Sequence, residues 1–123
     1  MIKTFKDLKA WQLALDVAVG VYGVTKKFPK EEQFGLTNQL RRAAVSVSSN
    51  IAEGFGRNNQ KEKDQFYGIA YGSLLEVESQ LILSVKLELI VKTKESTQLF
   101  DDIVECQKVL SGLKKANKKE RRA

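Results

Sequence analysis

Apolar residues recur at steps of three and four through nearly the whole of this 123-residue chain, a spacing that fits helices and leaves no room for the alternation of strands. Leu8, Trp11, Leu15, Ala18, Tyr22 and Thr25 form one stripe beginning near Asp7, and Val17, Val21, Val24 and Phe28 form a second beside it. A helix with two adjacent apolar stripes buries more than one face. It is predicted to stop at Phe28, because Pro29 disfavours helical backbone in the residue before it and cannot extend the hydrogen-bond ladder.

The second helix is predicted from about Leu36 to Phe55, with Leu36, Leu40, Ala43, Val47, Asn50 and Gly54 on the seam of a left-handed bundle. Gly54 and Gly56 are expected to supply the left-handed backbone that ends helices. Asn59 with Glu62 three residues later has the form of a cap, so a third helix should run from there to about Leu89. Phe66, Ala70, Ser73, Val77, Gln80, Ser84 and Leu87 give its main stripe, widened by Leu74, Leu81 and Val85. Leu75, Ile82 and Leu89 fall on another side. Thr93 is placed to cap a fourth helix carrying Phe100, Ile103, Cys106, Leu110 and Leu113.

Short connectors between long helices make sequence neighbours antiparallel. The predicted class is therefore all-α, an antiparallel up-down-up-down four-helix bundle over residues 1–113, with 114–123 a basic tail that continues the last helix or frays. No apolar run approaches the roughly 20 residues of a membrane span, and MIKTFKDLKAW lacks the apolar block of a signal peptide, so a cytoplasmic protein with no membrane role is expected. The single cysteine, Cys106, sits at an apolar position and is expected to be a buried thiol.

RRAAVSVSSNIAEGFGR, from Arg41 to Arg57, combines the smallest residues of the chain with some of its least buriable ones. Ala43, Ala44, Ser46, Ser48, Ser49, Ala52 and Gly54 leave little bulk, so a neighbouring helix is expected to approach closely there. Asn50 and Glu53 lie one turn apart and are expected to form a structural polar cluster at that crossing, engaging Arg42 or Arg57.

The chain has no histidine, which removes the commonest general base and the imidazole-dependent triads. One cysteine excludes cysteine-rich zinc sites, and EGFGRNN lacks the spacing of a phosphate-cradling loop. The remaining catalytic option is a carboxylate-held magnesium site of a nucleotide hydrolase, for which Asp102 with Glu105 and Glu76 with Glu78 offer pairs. A solvated outer helix face explains the same acids more simply. No catalytic residue, cofactor or metal is therefore expected, and the chain is taken as a non-enzyme.

The formal charge of +6 is concentrated: KKANKKERR, residues 114–122, holds six basic residues and one acid, leaving 15 basic and 14 acidic residues elsewhere. A basic segment on a nearly neutral body suits phosphate contacts or a solvated helix end.

FKDLKAWQLALD, VYGVTKKFPKEEQFGLTNQLRRAAVSVSSNIAEGFGR and FYGIAYGSLLEVESQL together resemble the bacterial 23S rRNA-intervening-sequence proteins, over about residues 5–90. The most specific pieces are Trp11, Tyr22, Phe28-Pro29, Gly35-Leu36, Gln39, Arg42, Ser46, Asn50 through Gly54, Gly72-Ser73 and Glu76. The resemblance implies a four-helix bundle that assembles into a homopentameric ring. It also implies kinship with the accessory variability determinant of diversity-generating retroelements, a basic pentamer that binds nucleic acid and a reverse transcriptase.

The surplus of apolar stripe on the first and third helices independently favours a homo-oligomer. The favoured activity is nucleic-acid binding, RNA before DNA, through basic groups repeated around the ring. By charge and placement the candidates are Arg41, Arg42, Arg57, Lys61, Lys115, Lys118, Lys119, Arg121 and Arg122. Aromatic stacking on bases is not expected from Trp11, Tyr22 and Phe66, which fall on apolar stripes. The alternative is a scaffold that docks another protein and uses its charge for solubility alone.

Overall fold

A computed structural model describes the backbone of residues 1–122 and side chains through Glu120. Four helices account for most of it: α1 (Lys9–Thr25), α2 (Asn38–Phe55), α3 (Gln60–Lys86) and α4 (Lys94–Arg122). Cross-contacts fix their sense. Arg41 reaches Thr25 between α1 and α2, Ser46 meets Ser73 and Gln39 meets Gln80 between α2 and α3, and Gln107 bonds Glu78 between α3 and α4. The Cys106 thiol lies 3.8 Å from the Ala10 carbonyl where α4 returns beside α1. Between α2 and α3 one residue number rises as the other falls. Second contacts give the sense of the other pairs: Phe5 shares a cleft with Ser49 and Ala52 while Thr25 meets Arg41, Gln60 meets Asn117 while Glu78 meets Gln107, and Gly20 and Gly23 face Leu99 and Glu95 while Ala10 faces Cys106, so each helix runs antiparallel to its sequence neighbour and α4 closes the square against α1.

The caps expected from sequence are present. Asn59 Oδ1 accepts from the Glu62 amide at 2.9 Å, and Thr93 Oγ1 accepts from the Ser96 amide at 3.1 Å. Ahead of α1, Thr4 and Asp7 form a reciprocal capping box around a short 3₁₀ turn, Phe5–Asp7. The two backbone N–H groups donated to Asp7 hold its carboxyl below the usual carboxylate range.

Several boundaries differ from expectation. α1 ends at Thr25, and Phe28 is reached by a further turn whose amide bonds the Thr25 carbonyl. Its core line is Ala10, Leu13, Ala14, Val17, Val21 and Val24, whereas Leu15 and Tyr22 of the other stripe are exposed. Two stripes of equal period both fit a helix, and only the position of the neighbours decides which one is covered. α2 is preceded by one wide turn, Gln33–Thr37, in place of a regular first turn. α3 ends at Lys86, before the expected Leu89, and Glu88 carries the chain out through a left-handed conformation with φ 62°.

Neither Gly54 nor Gly56 is left-handed; no glycine among the described residues has positive φ. Gly54 is instead a packing residue: a Cβ there would lie 2.8 Å from Tyr67 Cε1 and 3.0 Å from Phe66 Cβ. The buried core spans all four helices, with Leu40, Val47, Ile51, Leu74, Leu81, Leu99, Ile103 and Leu110 at its centre.

Burial pushes the Cys106 thiol up to about 12, helped by the negative charges of Asp102 and Asp16. Burial likewise raises the Tyr67 phenol to about 12, with Glu120 adding to it.

Two expectations follow from this packing. Gly54→Ala forces α2 off Tyr67 and costs about 1–3 kcal/mol in denaturant unfolding, whereas Gly68→Ala, with nothing within 4 Å, gains up to about 1 kcal/mol of helix propensity. The folded state holds the Cys106 and Tyr67 protons more tightly than the unfolded chain, so their contribution is intact below pH 9 and is lost as pH rises toward 12. Each group can lower stability by at most about 1.4 kcal/mol per pH unit in that window. Urea unfolding at pH 8 to 11 should show the decline, and Cys106→Ala should flatten its first part.

Candidate nucleic-acid interface

The antiparallel order brings four chain segments to one end of the bundle: the residues before α1, the end of α2, the start of α3 and the end of α4. Phe5 shares a cleft with Ser49 and Ala52 of α2, and four hydrogen bonds tie the other three segments together. Asn117, almost fully buried, donates to the Gln60 carbonyl at 3.0 Å and to the Asp64 carboxylate. Gln60 Nε2 donates to Glu120 at 3.2 Å, and Lys63 Nζ donates to the Phe55 carbonyl at 2.6 Å. Lys63 thereby satisfies an end carbonyl of α2 and lies 5.1 Å over the Phe55 ring.

Seven exposed lysines, Lys3, Lys6, Lys9, Lys61, Lys115, Lys118 and Lys119, belong to these segments, against the carboxylates of Asp7, Glu53, Glu62, Asp64 and Glu120. Five of the residues singled out from sequence therefore share one end: Arg57, Lys61, Lys115, Lys118 and Lys119. Arg121 and Arg122 lie outside the described side chains. Lys3, Lys6 and Lys9 escaped the sequence analysis because nothing in their own stretch is notable. Their signal is topological, since an up-down-up-down bundle returns its fourth helix to the end where the chain enters.

Arg41 and Arg42 lie elsewhere. Arg41 Nε donates to Thr25 Oγ1 at 2.9 Å, and its guanidinium sits 4.5 Å over the Tyr22 ring, so it brackets α1 to α2 toward the other end of the bundle. Arg42 is exposed and lines a polar cleft between α2 and α3 with Gln39, Ser46, Ser73, Glu76 and Gln80. Arg57, though at the basic end, pairs with Glu53 at 2.9 Å and lies 4.4 Å over Phe66. Glu53 is thus engaged by Arg57, just past the end of α2, and not by Arg42.

Asn50 and Glu53 do not bond each other. Asn50 Nδ2 donates to the Ser46 carbonyl at 2.8 Å and contacts Ser46 Oγ at 3.0 Å, while Ser46 Oγ meets Ser73 Oγ at 2.9 Å. The small residues admit α3 and Asn50 fixes the Ser46 hydroxyl at the crossing. Tyr22 corrects the aromatic assignment, because it is exposed; Phe66 is half-buried under Arg57, and Tyr67 is buried.

No three His, Cys, Asp or Glu side chains among the described residues are placed to share a metal ion. Glu76 lines the α2–α3 cleft whereas Glu78 accepts from Gln107 of α4, so that pair is split to two sides of α3. Asp102 accepts from Gln98 on its own helix at 2.8 Å. Among the described residues no helix is long and apolar enough to cross a membrane.

The family model for the 23S rRNA-intervening sequence protein matches residues 6–112, most of the chain, and the chain belongs to that family. No curated protein matches it.

The buried bond of Asn117 ties the end of α4 to the start of α3. Asn117→Ala should cost about 1–3 kcal/mol by removing a buried amide and its two hydrogen bonds to α3, read as a lower midpoint in thermal or urea unfolding.

Proposed function

We propose that this member of the 23S rRNA-intervening sequence protein family is a non-enzymatic, cytoplasmic homo-oligomer, a pentamer, that holds nucleic acid, RNA before DNA, against the basic end of its bundle. The observation that carries the proposal is the gathering of lysines from three separate segments at one end, the chain's first residues, the start of α3 and the end of α4, where their fields add. Some of that charge has a local role: cations at the ends of α2 and α4 suit the negative ends of those helix dipoles. Lys3 and Lys61 sit at no helix C-terminus, so the dipole does not account for them.

Support for self-association comes from apolar side chains outside the core. Leu15, Val19, Tyr22 and Val45 are exposed where α1 meets α2, with Val19 at 73%. Leu75, Ile82 and Val104 are exposed where α3 meets α4. These are different surfaces on opposite sides of the square, which suits the heterologous contacts of a ring better than the self-matching patch of a twofold dimer. Repeating the basic end around the ring would let weak phosphate contacts combine.

Truncating the chain after Leu113 is a poor test, because it removes Asn117 from the core of that end. The triple variant Lys115→Gln, Lys118→Gln, Lys119→Gln keeps the fold contacts and removes only exposed charge. Its affinity for single-stranded RNA should fall, and the salt slope should drop by about two for each protomer in contact, at about 0.7 per phosphate. An unchanged slope overturns the basic-end proposal, and no retention of RNA or DNA by the unmodified protein points to the scaffold alternative. Light scattering on the same sample should give a mass near five times 13.9 kDa; a monomer mass overturns the ring.

A further inference from the structure

The end of the bundle opposite the proposed nucleic-acid surface carries the α1–α2 and α3–α4 connectors, linked where Lys27 lies 3.8 Å from Glu95. On the first connector Phe34 is 89% exposed, more than any other large apolar side chain except Met1. Its neighbours anchor the turn with the ring outside: Leu36 and Thr37 are buried, and the Glu32 carboxylate accepts from the Leu36 amide at 3.4 Å. A phenyl group held in water forgoes the transfer free energy that burial would give.

On the other side, Val85, Ile90, Thr97 and Phe100 line a groove of about 290 Å³, with Lys92 and Asp101 as its charged members. Ser96 lines it too, but its hydroxyl accepts from the Thr93 amide at 2.9 Å and donates to the Val91 carbonyl at 3.1 Å, so it is already satisfied. The groove falls at the bottom of the usual range for small-molecule sites, about 300–1,000 Å³, a size that suits one large side chain.

Knob and groove occupy opposite edges of the square at the same end, so Phe34 of one copy meets the groove of another when copies stand side by side and parallel. Each terminates an exposed apolar run: Leu15, Val19 and Tyr22 lead along α1 toward Phe34, and Leu75, Ile82 and Val85 along α3 toward the groove. Charge agrees. After Pro29 the knob's connector carries Glu31 and Glu32 against Lys30, a net −1, whereas Lys86, Lys92 and Lys94 around the groove outnumber Glu88 and Asp101, a net +1.

We propose that Phe34 of each chain seats in the Val85–Ile90–Phe100 groove of a second copy, the aromatic anchor of a head-to-tail contact. The proposal rests on the self-association reading and names the side chain and pocket that carry it.

Sedimentation velocity from 1 to 100 μM tests it. Phe34→Ser and Val85→Glu should each raise the concentration at which the oligomer dissociates by about thirty-fold or more, with helical circular dichroism unchanged because both side chains lie outside the core. Thr97→Trp, which fills the groove from α4, should act likewise, and Phe34→Leu, which keeps an apolar knob, should stay near the unmodified protein. Phe34→Ser and Val85→Glu together should weaken assembly little more than either alone, since both remove one contact. Full additivity overturns the pairing of knob with groove. An oligomer unmoved by Phe34→Ser overturns the anchor and leaves self-association standing, whereas an unmodified protein that is monomeric throughout overturns both.

Discussion

The closeness of α2 to α3 is the constraint on which the rest of the molecule depends. Gly54 lies under the Tyr67 ring and Ser46 lies against Ser73, with no side chain between the helices large enough to hold them apart. Close approach exposes backbone and hydroxyl groups to an apolar surrounding, and they need partners. Asn50 supplies one by bonding both the carbonyl and the hydroxyl of Ser46. Small residues and a half-buried amide are therefore two halves of one solution: the first sets the spacing and the second satisfies what the spacing leaves open.

The same contact fixes the basic end. With Gly54 seated on Tyr67, the last turn of α2 is held beside the first turns of α3, where Lys63 can reach the Phe55 carbonyl. α4 then lies along α3 far enough for Asn117 to bond Gln60 and Asp64. Charges remote in sequence, Lys3, Lys61 and Lys118 among them, become neighbours in a shared region through those contacts. A cavity between these segments exists because the residues ahead of α1 cross it, held in turn by the Thr4–Asp7 capping box.

Local signals proved legible in the sequence. Asn59 and Thr93 cap the helices they were expected to cap, because the cap chemistry needs only residues within one turn. The bundle class was legible too, since period alone separates helices from strands. What period could not decide was which of two stripes on α1 is covered: Leu15 and Tyr22 share the spacing of Val17 and Val21, and only the placement of α2 and α4 leaves them outside. Gly54 shows a similar limit, because a glycine near a helix end serves a left-handed cap and a tight crossing equally well in sequence. At the candidate site, the basic run of α4 was visible as composition. Its companions were not, since Lys3 and Lys6 gain meaning only from the return of α4 to the chain's point of entry.

Each of three helix interfaces joins elements adjacent in sequence, through turns that span few residues, and only the α1–α4 seam joins distant parts of the chain. Topologies dominated by such local contacts form on the microsecond to millisecond scale. The entropy of closing a long loop falls on one seam alone, where Gly20 admits Leu99 and Gly23 admits Glu95 with no side chain of their own to clear. A chain built this way reaches its compact shape quickly, and zipping the first helix to the last is the one step that has to wait for the ends of the chain to meet.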